Sequence, residues 1–390
     1  MSETMQLSDY GMSRDRGFLS HFEIDEVDLP AEFAPYLHAA ETLSGLITSG
    51  KVRHWLNRLP AIDLSEWAQS APEEQVRRAM VHLSFLVQAY VWGEHDAPAH
   101  LPANLARPMV AVADRLGQAP LLPYSGYVLD NWARIDKSAP LALDNVRMVQ
   151  NFAGGDDENW FVLVHIGIEL EAGVLLDNAV KLIAASDVGD AATCEALLLE
   201  NHAAWERIYD VFKRMPERCD PYVYFHRVRP WIHGWANNPA LGGGLVYEDV
   251  DKFAGAPQPF RGQTGSQSSI VPSMDALVGV RHSDDPLKAF LDELHFYRPV
   301  PHRRFIEDLG AKSNLRAFVV GSGSESLKDA FNANLEQVVR FRTRHLEYAA
   351  SYINKQASNE PGNDPDVGTG GTPFMKYLKK HRDENAAQLV

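Results

Sequence analysis

The sequence predicts an all-α protein, a large helical domain joined to a smaller N-terminal helical domain. Three observations predict it. Apolar residues recur at helical spacing along most of the chain, no run of alternating strands separated by hairpin turns occurs, and the strongest Gly, Pro and Ser clusters fall between the periodic segments. Segment 73–93 starts behind Pro72 with Glu73 and Glu74, a good helix opening, and Val76, Met80, Leu83, Leu86 and Val87 follow at helical spacing. Segments 104–116, 142–154, 158–184, 190–213, 285–296, 303–310, 326–356 and 373–388 carry the same period and read as helices. A small sheet or hairpin is compatible with Val246–Tyr247. The stretch 133–143, ARIDKSAPLAL, interrupts the pattern and sets a boundary, giving residues 1–137 to the small domain and 138–390 to the large one. Two stretches, 254–272 and 357–372, are too polar and too rich in Gly, Pro and Ser to be core, and loops of that length are often functional or disordered.

Composition narrows the class. The 390 residues are 45% hydrophobic and 23% charged, ordinary values for a globular protein with a sizeable core. A net charge of -15 disfavours nucleic acid, whose backbone calls for clustered Lys and Arg. Two cysteines, Cys194 and Cys219, make no disulfide framework, and a reducing compartment fits them. The polar N-terminus, MSETMQLSDYGMSRDRG, does not read as a signal peptide. The apolar run Trp160 to Ile168 is nine residues long, short of a bilayer. A cytoplasmic protein without a membrane partner is expected.

The residues offer several chemical readings. There is no CxxC pair, HExxH or CxxCH, so structural zinc, zincin chemistry and covalent haem attachment lack support. His295 and His302 flank the turn YRPVPH and read as loop or surface residues. On 326–356, Phe331, Leu335, Val338, Ala349 and Tyr352 trace an apolar face that includes His345, with Arg342 one turn earlier. Such a histidine is either a hydrogen-bonded core residue or an iron ligand, and a nearby arginine suits a haem propionate. On 158–184, Phe161 and His165 are four apart and share a face, as satisfied core or as a polar group in an apolar pocket. Segment 222–239, YVYFHRVRPWIHGWANNP, sets arginines among aromatics, either a carboxylate clamp or a solvated helix end. RGQTGSQSS and GTGGT match no phosphate-loop motif and suit mobile lids.

Motif order carries the reading further. AYVWG (89–93), LPANLARP (101–108), LPYSGYVLDNW (122–132), GWANNPALGGGLVYE (234–248), GQTGSQSSIVPSMDALVGVRH (262–282), FRTRHLEYAASYI (341–353) and GTGGTPFMKYLK (368–379) resemble, in order and spacing, the indoleamine 2,3-dioxygenase family along nearly the whole chain. The resemblance implies a small helical domain covering the distal pocket of a large domain that carries haem b, ferrous for O₂ binding and replenished by an external reductant. It makes His345 the proximal iron ligand, Arg342 a propionate contact, Asp275 a support for the proximal histidine, and Gly265 and Thr264 parts of the loop beside the haem. It makes Phe161 and Tyr124 packing residues for the substrate, Arg229 the receiver of its carboxylate, and Tyr224 with Phe225 the aromatic pair before that arginine. Thr369 corresponds to a mobile-loop threonine near the substrate ammonium. His165 departs from the serine common in mammalian members and is similar to the distal histidine of tryptophan 2,3-dioxygenases, while Tyr127 replaces a smaller residue of the pocket wall. The implied activity is opening of the indole ring of L-tryptophan to N-formylkynurenine, the entry to the kynurenine pathway, with Phe161, His165 and Arg229 as the acting residues. Two rivals are an oxygenase of the same fold acting on another indole in secondary metabolism and a non-catalytic haem or ligand sensor.

Overall fold

The computed structural model describes residues 5–284, 286–356, 368–369 and 374–390. The architecture is helical, as the periodicity predicts. The longer helices are α1 (Ala34–Glu41), α2 (Glu73–Trp92), α3 (Ala103–Leu116), α4 (Asp156–Glu171), α5 (Gly173–Asp187), α6 (Ala191–Lys213), α7 (Ile270–Val278), α8 (Pro286–His295), α9 (Val300–Lys312), α10 (Glu325–Ala349) and α11 (Phe374–Ala386). Their ends follow local chemistry: Asp190 accepts the Thr193 N–H at 3.0 Å before α6, and Ser324 accepts that of Leu327 at 3.3 Å before α10. One apolar core runs from Met5 through α2, α4, α5 and α6 to Tyr352. Helix α6 packs on α4, α5 and α10, while α10 also packs on α11, so α6 is the spine that sets the distance between α4 and α10.

Two expectations about elements change. The segment 142–154 is not a helix. A short 3₁₀ turn over Leu143–Asn145 leads into a strand, Val146–Met148, paired antiparallel with Trp132–Arg134. Val146 and Met148 are buried and Arg147 is exposed, the two-residue period of a strand, and Pro140 lies just before it. The Asn145 side chain closes the turn, donating to the carbonyls of Asp136 at 3.0 Å and Pro140 at 2.9 Å. The segment 158–184 is two helices, α4 and α5, rather than one. They part at Ala172 because the N-terminal arm docks there: a Cβ on Gly173 would lie 2.1 Å from the Arg14 carbonyl oxygen, so only glycine lets the arm approach. Together α4 and α5 are long and apolar enough to cross a membrane, yet 61% of their most apolar window is buried inside this fold, as befits core helices. Val246–Tyr247 does pair, in parallel, with His100–Leu101. The expected loop 357–372 lies outside the described residues apart from 368 and 369.

Candidate active site

Helices α4 and α10, the 262–272 segment and the start of the π-helical turn Tyr224–Val228 enclose a cavity of about 500 Å³, within the size range of small-molecule and cofactor sites. Helical periodicity places its side chains. On α4, Phe161 and His165 stand one turn apart, and on α10 Arg342 and His345 do the same, so each helix turns a histidine with a neighbour into one space. Tyr124, Tyr224, Thr264, Gly265, Asp275 and Thr369, all predicted, line the same cavity, while Arg229 does not.

The α4 wall is aromatic. Phe161 stacks near Tyr224 with ring centroids 4.8 Å apart and near His165 at 4.6 Å. His165 Nδ1 lies 2.7 Å from the Phe161 carbonyl oxygen, an acceptor only, so Nδ1 carries the proton and Nε2 keeps its lone pair. Burial lowers the His165 pKa, against a smaller opposing effect of that carbonyl. Behind this wall lies Glu169, which the sequence reading did not single out. It is fully buried and accepts from Tyr124 Oη at 2.8 Å and Ser268 Oγ at 2.8 Å, both on Oε1, while Oε2 has no partner among the described residues. Burial pushes its pKa up to about 7, only partly offset by the two hydroxyls. The signal in the sequence was a glutamate four residues after His165, one turn along the same helix face in an apolar run.

The α10 wall is ionic at one end. Arg342 Nη2 donates to Asp275 Oδ2 at 2.9 Å, and its buried Nε–H has no partner among the described residues. Asp275 also accepts from Asn385 at 2.7 Å and meets His282 at 3.4 Å. Burial alone would raise the Asp275 pKa, but Arg342 and His282 outweigh it and hold it low. Asp275 therefore reaches the His345 helix through Arg342, one turn away, rather than by bonding His345 itself. The His345 ring makes no hydrogen bond with any described residue, with Phe212 beside it at 6.4 Å between centroids. Burial, then the nearby His165 and Arg342, push its pKa down to about 4, so it is neutral and its lone pair is available.

The remaining predicted residues divide. Thr264 caps the 3₁₀ turn Gly265–Gln267, and Thr369 Oγ1 donates to the Gln263 carbonyl at 2.6 Å. Gly262 makes that seam possible, since a Cβ there would lie 2.5 Å from the Thr369 oxygen and 2.3 Å from Gly234 N. Arg229 is fully buried with its guanidinium 5.2 Å from the Phe225 ring, and it stands behind the lining formed by the described residues. Tyr127 also stands back from the cavity, 6.5 Å from Phe161 between centroids, which moves it from the expected pocket wall to a second layer. The lining that sequence reasoning missed includes Ile168, Phe212, Ser268, Ile270, His282 and His381.

An unpaired neutral imidazole on a stiff helix, an apolar chamber, an arginine donor to spare and a second imidazole in the same chamber fit a haem held by one axial histidine, with His345 as the ligand and Arg342 beside a propionate. The site and fold thus define a helical haem protein with a ligand chamber. The family model for indoleamine 2,3-dioxygenase matches residues 6–388. Indoleamine 2,3-dioxygenase 1 of Rattus norvegicus is 32% identical over 98% of this chain and 96% of its own length. Indoleamine 2,3-dioxygenase 2 of Homo sapiens is 30% identical over 99% and 96% respectively. A protein named myoglobin, from Haliotis madaka, is 29% identical over 97% of this chain and 98% of its own length. The chain belongs to the indoleamine 2,3-dioxygenase family, whose enzymes are haem-dependent dioxygenases acting on small molecules with O₂.

Proposed function

We propose that this protein opens the indole ring of L-tryptophan with O₂, giving N-formylkynurenine, in the cytoplasm. When bound, haem b in its ferrous form supplies the oxygen chemistry, with electrons from an external reductant. His345 would hold the iron and Arg342 a propionate, with Asp275 fixing the arginine. The chain's own residues then orient the substrate. Phe161, Tyr224 and Tyr124 offer ring faces and edges to an indole. His165 Nε2 would accept the indole N–H; the bond from Nδ1 to the Phe161 carbonyl, which leaves the Nε2 lone pair free in this cavity, is the observation that carries the proposal. Arg229 is assigned the substrate carboxylate on the family resemblance, which requires its guanidinium to turn from behind the lining toward the cavity, and Thr369, at the seam with Gln263, is assigned the side of the ammonium group. The aromatic lining excludes water from the reacting end.

The test is turnover by the reduced, haem-loaded protein with L-tryptophan and ¹⁸O₂. N-formylkynurenine carrying two labelled oxygens is expected. No product, or a product with one labelled oxygen, would overturn the reading. A second reading, oxygen storage or sensing, is favoured by the relative named myoglobin. It predicts reversible oxygen binding that tryptophan neither shifts nor consumes. A third, turnover of another indole, predicts labelled product from that indole alone.

A further inference from the structure

The proposed reaction leaves one group of side chains at the α10 end of the cavity unused. His381 and Glu384 stand one turn apart on α11, and His282 follows α7. One donor atom from each of the three lies within 4.8 Å of the others. The two imidazole rings are 4.6 Å apart between centroids. His381 is 4% exposed, and its Nε2 has no hydrogen-bond partner among the described residues. A buried imidazole nitrogen without a partner is costly unless something else occupies its lone pair.

The surrounding groups are arranged as a coordination shell would need. Glu384 Oε1 is taken by Ser283 Oγ at 2.6 Å and by Lys380 at 3.4 Å, which leaves Oε2 toward the histidines. Oε2 now meets His282 Nδ1 at 2.6 Å, and His282 Nε2 faces Asp275 Oδ2 at 3.4 Å. If an ion replaces the hydrogen between Nδ1 and Oε2, Nε2–H turns to Asp275, the carboxylate–histidine–metal arrangement that orients a ligating ring. The Nδ1–Oε2 pair then opens to roughly 3.3 Å, the ligand spacing that bonds of about 2.0 Å give around a tetrahedral ion. His282 and Glu384 are each only partly buried, so that movement displaces no core side chain. His282 and His381 also line the cavity, which leaves a fourth position to water. Two nitrogens and one carboxylate oxygen suit Zn²⁺ and its neighbours rather than Mg²⁺ or Ca²⁺.

We propose that His282, His381 and Glu384 bind one divalent transition-metal ion of the zinc class, pinning the C-terminal helix to α7 beside the Asp275–Arg342 pair. The inference stands apart from the tryptophan reading, because it needs neither substrate nor turnover. Untagged, haem-loaded, full-length protein is stripped with chelator and titrated with Zn²⁺ against a chromophoric competitor, with zinc counted separately from iron. One equivalent is expected, with an X-ray absorption spectrum showing two imidazoles at about 2.0–2.1 Å. His381→Ala and Glu384→Gln should each weaken zinc uptake about 100-fold, and Glu384→Gln, which lies outside the cavity lining, should do so with haem content unchanged. Glu384→Gln is the safer variant, since the amide can still hydrogen-bond His282 and a purely structural role would survive it. If the wild type takes up no zinc at micromolar free ion, or if Glu384→Gln binds as tightly as the wild type, the site does not exist.

Discussion

The α4 wall and the α10 wall of the cavity each set a histidine near a buried carboxyl group, and the two carboxyls go opposite ways. Glu169 has two hydroxyl donors and no cation, and burial pushes its pKa up to about 7. Asp275 is also buried, but the Arg342 guanidinium at 2.9 Å and His282 at 3.4 Å outweigh the burial and keep it ionised. The contrast shows how much compensation desolvation demands: two neutral donors do not supply it, and one guanidinium with an imidazole does. On the acid side of pH 7 the α4 wall is therefore close to electrically neutral, suited to a flat uncharged ring. The α10 wall is ionic, suited to a cofactor whose edge carries carboxylates.

The comparison breaks first at His345. His345→Ala should abolish the stoichiometric Soret band while leaving far-ultraviolet helicity unchanged, because the imidazole makes no hydrogen bond that the fold needs. A variant that retains full haem with an unchanged spectrum would move the iron ligand elsewhere. Next in size is Glu169→Gln. Below about pH 4.5, the ordinary value for a glutamate, folded and unfolded states both hold the Glu169 proton. Between about 4.5 and about 7 only the folded state keeps it, so wild-type stability should fall as pH rises, by up to about 3 kcal/mol, and level off above. Glutamine has no such titration, and the difference between the two stability curves should open across that window. Parallel curves would mean that Glu169 is ionised throughout.

A smaller effect is expected at His165. Its pKa is lowered by burial, so it is neutral at pH 7 and charges only on the acid side of the ordinary histidine range. Turnover should fall there as the acceptor is lost. His165→Ser should flatten that limb and lose about 5-fold at neutral pH, the worth of one hydrogen bond. Overlapping pH–rate profiles for the two proteins would leave His165 as packing alone.

The sequence carried the helices and much of the cavity, and the reasons for the gaps are physical. Amphipathic period survives in a single chain, so α2, α6, α10 and α11 were legible with ends good to a few residues. The Val146–Met148 strand within 142–154 was not, because its period depends on pairing with Trp132–Arg134 and on the Asn145 side chain, both tertiary. The α4–α5 break depends on an arm more than a hundred residues away docking on Gly173. In the site, His345, Arg342, His165 and Phe161 were readable because one helix face presents each pair. Glu169 was visible as a residue but not as a group, since its partners lie 45 and 99 positions away. The second-layer positions of Arg229 and Tyr127 depend on packing that no spacing encodes.

The last expected effect is the sharpest on the state of the α4 wall. Tyr124→Phe removes one hydroxyl from Glu169 and leaves the ring in place against the cavity. Ser268 remains as a donor to the same oxygen at 2.8 Å. While Glu169 is protonated, the lost bond joins two neutral groups, and the cost should be about 0.5–1.5 kcal/mol. Above pH 7 the carboxylate forms, the lost donor served a charge, and the cost should rise to roughly 1.5–3 kcal/mol. The sign follows from the donor: a hydroxyl stabilises the ionised acceptor more than the neutral one, so its removal also lifts the Glu169 pKa further. Chemical denaturation at pH 6 and pH 8.5 reads both values. A cost that is the same at the two pH values would place the charge of Glu169 outside this window and make the two walls alike.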